Sequence, residues 1–234
     1  MAHPVDDRRA EISQNLHEVR DRIDSTTIAA GRQPREVSLI VVTKNFPASD
    51  VAHLASLGVQ DVGENRHQEG SVKSGEVDAE LTWHFIGQLQ RNKVAAVLGW
   101  ADVIQSVDRL ELAQEIVKRA PLRDRPIRVL IQISLDGSAG RAGAAPQDLS
   151  AIAAALAGAP QVDLSGVMAV APLDEDPRAA FERLSGIREG FLRDHPTATW
   201  CSAGMSNDYV EAIERGATHV RIGSSILGSR PPFG

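Results

Sequence analysis

At 234 residues the chain is long enough for one full core, and with 42% hydrophobic and 24% charged residues it reads as globular, not disordered. Its net charge of −6 argues against a general nucleic-acid binder, which would show a basic face. The one cysteine, Cys201, rules out an intrachain disulfide, no metal-type Cys/His spacing occurs, no apolar run approaches the ~18 residues of a membrane span, and the first residues lack the apolar core of a signal peptide, so a cytoplasmic protein is expected.

Ile12, Leu16, Val19 and Ile23 recur at spacings of one helical face, and Gly31 and Pro34 stop that helix, which is expected over about residues 8–30. Val37 to Lys44 follows as a run of β-branched and leucine residues, a buried strand ending on a lysine. Ser49 is expected to cap a helix bearing Val51 and Leu54, which Gly58 ends. Strands then alternate with helices: Val59 to Gly63, Trp83 to Gly87, Val103 to Val107, Ile127 to Ser134, Val162 to Ala171, Ala198 to Ser202 and Thr218 to Ile222. Asp108, Pro146, Asp176-Pro177 and Ser206 are the expected helix openers among them.

Eight strands with intervening helices predict a parallel sheet closed as a (β/α)8 TIM-like barrel in a single domain, with an open doubly wound sheet as the alternative. Too few residues follow the eighth strand for an ordinary closing helix, so the N-terminal helix is expected to fill that gap. No linker, useful repeat or low-complexity tract interrupts the pattern.

A barrel presents its active face at the carboxyl ends of the strands, and phosphate usually sits after strands seven and eight. Those positions hold Lys44, Glu64 and Asn65, His84 with Gly87 past it, Met168 to Pro172, Ser202 to Ser206, and Arg221 with Gly223, Ser224 and Ser225. Ser206 at a helix start, with Gly204 and Gly223 opening the backbone, suggests an anion cradle; taken singly they are a cap and two turn glycines. Lys44 is the candidate nucleophile, since a lysine at the end of a core strand carries a desolvation cost unless something uses its nitrogen; the alternative is a lysine that snorkels to solvent. Arg221 interrupts an apolar strand as a permanent donor, or else pairs with an acid such as Glu64. His84 is an acid or base, or a packed core histidine; Arg91, Asn92 and Lys93 read as a solvated loop, and Cys201 as a small buried residue.

Val-Val-Thr-Lys44, Gly63-Glu-Asn65, Trp83-His-Phe-Ile-Gly87-Gln-Leu-Gln-Arg-Asn-Lys93, Gly166 to Pro172, Ser202-Ala-Gly-Met-Ser206 and Val220-Arg-Ile-Gly-Ser-Ser-Ile-Leu-Gly228 together resemble, in collinear order over roughly residues 10 to 230, the pyridoxal-phosphate homeostasis protein family. The resemblance implies a fold like the N-terminal barrel of alanine racemase without that enzyme's second domain. It implies pyridoxal 5′-phosphate as a Schiff base on Lys44, its phosphate at Ser206, Gly223 and Ser224, and Arg221 at the pyridine nitrogen. Asn65 and His84 match positions near the cofactor. Arg141 and Ala203 depart from the commoner family pattern, which leaves the role of the loop from Asp136 to Gly143 open.

Two functions follow: a non-catalytic carrier that stores, buffers or delivers the cofactor, with apo enzymes as recipients, or a small amino-acid racemase. Racemisation needs a base on each face of the substrate, and the only tyrosine, Tyr209, is poorly placed to be the second. That favours the carrier, without catalytic residues. An aldolase-type barrel using Lys44 without pyridoxal phosphate is a third reading, which the motifs disfavour. With no partner domain, a monomer is expected.

Overall fold

Short runs rich in Val, Ile and Leu, broken by glycine, proline and asparagine, make strands buried on both faces. The computed structural model describes residues 4–137 and 142–228; Gly140 and Arg141 lie outside them. The strands are β1 (Ser38–Val42), β2 (Asp61–Glu64), β3 (Thr82–Phe85), β4 (Val103–Val107), β5 (Ile127–Ile133), β6 (Val162–Ala169), β7 (Trp200–Ser202) and β8 (His219–Ile222). All neighbours pair in parallel, and β8 pairs back to β1, closing the barrel that the alternation predicted. The open-sheet alternative is thereby excluded.

The helices are α1 (Pro4–Ala29), α2 (Ala48–Ser56), α3 (His67–Glu76), α4 (Val94–Leu98), α5 (Leu110–Arg119), α6 (Leu149–Ala157), α7 (Pro177–Asp194), α8 (Tyr209–Glu214) and α9 (Ser224–Leu227). Alternate strand residues such as Val41, Val62, Phe85, Ile131 and Val220 join Leu54, Ile116, Ile152 and Leu184 of the helices in the main core. A second, small cluster of Val103, Leu130 and Met168, with Trp200 against it, comes from the other set of alternates and fills part of the barrel's interior. Buried polar groups occupy the same inward positions: His84, Gln105, Ser202, His219 and Arg221.

The stripe Ile12, Leu16, Val19 and Ile23 of α1 is buried, and α1 lies against α2, α8 and α9. Its Asn15 side-chain amide donates to the Ile226 carbonyl at 3.0 Å, and Arg8 Nη2 to the Leu227 carbonyl at 2.9 Å.

Several expected helix starts shift. Pro47, extended at φ −71°, ψ 163°, takes the position before α2, and Ser49 lies inside the first turn. Asp108 pairs with the Arg109 guanidinium, so Arg109, not Asp108, precedes α5. Pro146 opens a 3₁₀ turn, Pro146–Asp148, ahead of α6. Asp176 behaves as expected, its carboxylate accepting from the Arg178 N–H at 3.0 Å with Pro177 first in α7.

Candidate functional site

A cavity of about 590 Å³ opens at the carboxyl ends of the strands, and Lys44, Asn65, Ser206, Arg221, Gly223 and Ser224 all line it. A larger groove, about 900 Å³, lies at the amino ends, lined by groups such as Asp61, Asp102 and Arg125 and by none of the expected site residues. The smaller cavity is therefore the candidate: unlike that groove, it gathers an amine, hydroxyls and a buried arginine, where barrel strand ends converge.

Lys44 is half-buried, two residues past the end of β1. The backbone on both sides of it is tied to α3. Lys73 Nζ donates to the Thr43 carbonyl at 2.8 Å, and the Asn45 N–H donates to Glu69 Oε2 at 2.9 Å. Asn45 sits at φ 66°, in the left-handed region that asparagine tolerates better than most residues. Lys73 is itself held by Glu64, 2.7 Å away and fully buried, which also accepts from the Thr43 hydroxyl at 2.6 Å. Burial pushes the Glu64 carboxyl above its ordinary pKa, against the pull of Lys73 and Thr43. Glu64 belongs to β2 and faces α3; it is neither a cavity residue nor the partner of Arg221. The clamp was invisible in the sequence because its members are ordinary charges until α3 packs on β2.

Arg221 is 4% exposed and donates through Nη1 to Ser202 Oγ at 2.7 Å and through Nη2 to the Ala169 carbonyl at 2.9 Å. Burial lowers its pKa to about 10, which leaves it protonated at neutral pH. The only anion pulling the other way within the described lining is Asp208, whose own pKa burial raises. Asp208 was not anticipated as a site residue; its place three residues after Met205, typical of an aspartate closing a turn, was the available signal.

Ser206 does not cap a helix. Residues 206–208 form a turn, Asp208 Oδ1 accepts from the Met205 N–H at 2.6 Å, and α8 begins only at Tyr209. The Ser224 hydroxyl instead donates to the Ser206 hydroxyl at 3.1 Å, joining the loops after β7 and β8. Gly204 sits at φ 91°, and a Cβ at Gly223 would stand 2.8 Å from the Val42 carbonyl, so both loops need glycine to lie this close to the strands. The cradle thus consists of two hydroxyls and glycine-opened backbone, not a capped helix end.

His84 is not brought to the cavity wall. It is fully buried in the barrel, Nε2 2.9 Å from Asp61 Oδ1 and Nδ1 2.9 Å from Gln105 Nε2. Tyr209 does not line the cavity either, and burial raises its pKa. Cys201 is buried, its thiol pushed up to about 11. No group of three or more His, Cys, Asp or Glu suited to a metal occurs among the described residues, and no described helix is long and apolar enough to cross a membrane. An amine, an arginine donor and a pair of hydroxyls around one small cavity suit a compact phosphorylated carbonyl compound.

The family model for the alanine racemase N-terminal domain matches residues 10–231. The chain is 38% identical to the pyridoxal phosphate homeostasis protein of Mycobacterium leprae, covering 97% of each chain, and 35% identical to that of Escherichia coli K12, covering 94% of this chain and 97% of the relative. The structure of PipY from Synechococcus elongatus with pyridoxal phosphate bound superposes with a TM-score of 0.81 at 32% identity, over 93% of this chain and all of that one. Alanine racemase from Corynebacterium glutamicum shares the fold, with a TM-score of 0.69 at 17% identity, over 95% of this chain but 61% of the enzyme.

Proposed function

The chain belongs to the pyridoxal phosphate homeostasis protein family, and from that membership we propose that it binds pyridoxal 5′-phosphate to store, buffer or deliver it. The observation that carries this reading is the convergence of Lys44, Arg221, Ser206 and Ser224 on one cavity. The bound cofactor supplies an aldehyde for an amine and an electron-withdrawing ring. Lys44 holds it as a Schiff base. Ser206, Gly223 and Ser224 hold the phosphate, Asn65 borders the ring, and Arg221 donates to the ring nitrogen. Facing a donor that stays protonated, that nitrogen must accept, so it stays unprotonated and the ring is a weaker electron sink.

We read the protein as a carrier, not an enzyme. Neither Tyr209 nor His84 lines the cavity, so the described lining offers neither as the second base that racemisation needs. A single barrel including α1, working as a cytoplasmic monomer with apo enzymes as recipients, completes the proposal.

Purified protein mixed with pyridoxal phosphate is expected to turn yellow, and borohydride to fix the cofactor's mass on Lys44. A Lys44→Ala variant that keeps the same visible band would reject the assignment. Faster activation of an apo enzyme by the loaded protein than spontaneous release allows would establish delivery; equal rates would leave buffering. Two carboxylates that were not anticipated line the wall, Asp208 and Glu175; Glu175 is held by both Nη atoms of Arg183, so the racemase reading rests on Asp208. Turnover-rate exchange of amino-acid α-protons in deuterated water, lost in Asp208→Asn, would restore it.

A further inference from the structure

Arg221 is a buried cation whose two assigned bonds go to a hydroxyl and a carbonyl, neither of which carries charge. Such a group is held only if the chain beyond its partners is well ordered. Here that chain can be followed. Ser202 Oγ, which accepts from Arg221 Nη1 at 2.7 Å, donates to Gln105 Oε1 at 2.7 Å. Gln105 Nε2 lies 2.9 Å from His84 Nδ1, and His84 Nε2 lies 2.9 Å from Asp61 Oδ1. His84, Gln105 and Ser202 are each fully or almost wholly inaccessible to solvent.

Chemistry fixes the direction at every link. The guanidinium only donates, so Ser202 accepts there and has its one proton left for Gln105. Gln105 receives it on oxygen, so its amide nitrogen faces His84 and Nδ1 must accept. The imidazole proton then sits on Nε2 and goes to the Asp61 carboxylate. Asp61 is the first residue of β2, at the amino end of the barrel, beside the large groove there. The chain therefore crosses the barrel from the cavity to the opposite mouth, from a cation to an anion, each link pairing one donor with one acceptor.

We propose that Asp61, His84, Gln105 and Ser202 are positioning residues that act as one directed relay, fixing the guanidinium of Arg221 in the orientation with which it meets the cofactor's ring nitrogen. This rests on the reading of the cavity as a pyridoxal phosphate site. His84 then serves the cofactor through Arg221 and never touches it. Loss of any link frees Ser202 to turn and leaves Arg221 to tilt about its remaining bond to the Ala169 carbonyl, and the ring nitrogen loses a fixed donor.

The test compares Ser202→Ala, Gln105→Leu, Arg221→Leu and the two double variants carrying Arg221→Leu, each titrated with pyridoxal phosphate by its visible band and checked for folding by circular dichroism. Ser202→Ala removes one oxygen and keeps the packing, so it remains informative if Gln105→Leu fails to fold. Each single relay variant is expected to bind about tenfold more weakly, with its band moved toward that of Arg221→Leu. In the Arg221→Leu background the same changes should add less than about twofold, because residues that act through one another are not additive. Wild-type affinity and band in Ser202→Ala and Gln105→Leu, or equal losses in both backgrounds, would overturn the relay. Absence of any Lys44-dependent band in the unmodified protein would instead overturn the pyridoxal phosphate reading itself.

Discussion

Single residues in this barrel are governed by whether a buried polar group has a partner. Lys73 neutralises Glu64, which has no contact with solvent, and together they fix the carbonyl just before Lys44. Lys73→Met strands that carboxylate and should destabilise the fold by about 3–5 kcal/mol in urea unfolding. A protonated Glu64 needs no cation, so the deficit should grow as pH rises above the ordinary carboxylate range. His219 titrates in the other sense. Packed against Trp200 with ring centroids 4.1 Å apart, it is held by burial at a pKa of about 4. Between about pH 6.5 and that value the unfolded chain takes a proton that the folded chain refuses. Its contribution is thus complete above that window and lost as pH falls through it, up to about 3 kcal/mol. Urea midpoints measured at pH 7 and 4.5 should converge in His219→Gln relative to the parent chain.

At the scale of elements, the feature that matters to the site is how α1 reaches α9. Four residues of helix cannot hold themselves in place. Asn15 and Arg8 bind the last carbonyls of α9 from outside, and α9 begins with Ser224 of the cradle. Asn15→Leu should reduce stability by only about 1 kcal/mol, yet weaken pyridoxal phosphate binding several-fold. Unchanged affinity would reduce α1 to scaffolding. The elements also show where local signals mislead. Ser49, Asp108 and Ser206 are all good capping residues that do not cap. Pro47 and the Arg109 guanidinium displaced the first two, and the turn held by Asp208 delayed α8 past the third.

Across the whole molecule, closure of the sheet joins an outer core shared with the helices to a small inner cluster. Trp83 and Trp100 report on the first and Trp200 on the second. If the barrel and α1 are one cooperative unit, tryptophan fluorescence and far-ultraviolet circular dichroism should give coincident urea transitions. A split would show that α1 or one side of the barrel melts separately.

The sequence by itself determined the eight strands, their order and the residues at their carboxyl ends, because short apolar runs and the breakers between them are local signals. It was enough to bring Lys44, Asn65, His84, Ser206, Arg221, Gly223 and Ser224 onto one list, and all of them but His84 line the cavity. Only the tertiary structure decided what lies behind them. Glu64 and Lys73 are neighbours because α3 packs on β2, and Asp61, His84, Gln105, Ser202 and Arg221 align because five different strands close around one axis. Those contacts join residues up to 97 positions apart. No local pattern encodes such distances, and only closure of the barrel brings the partners within hydrogen-bond reach.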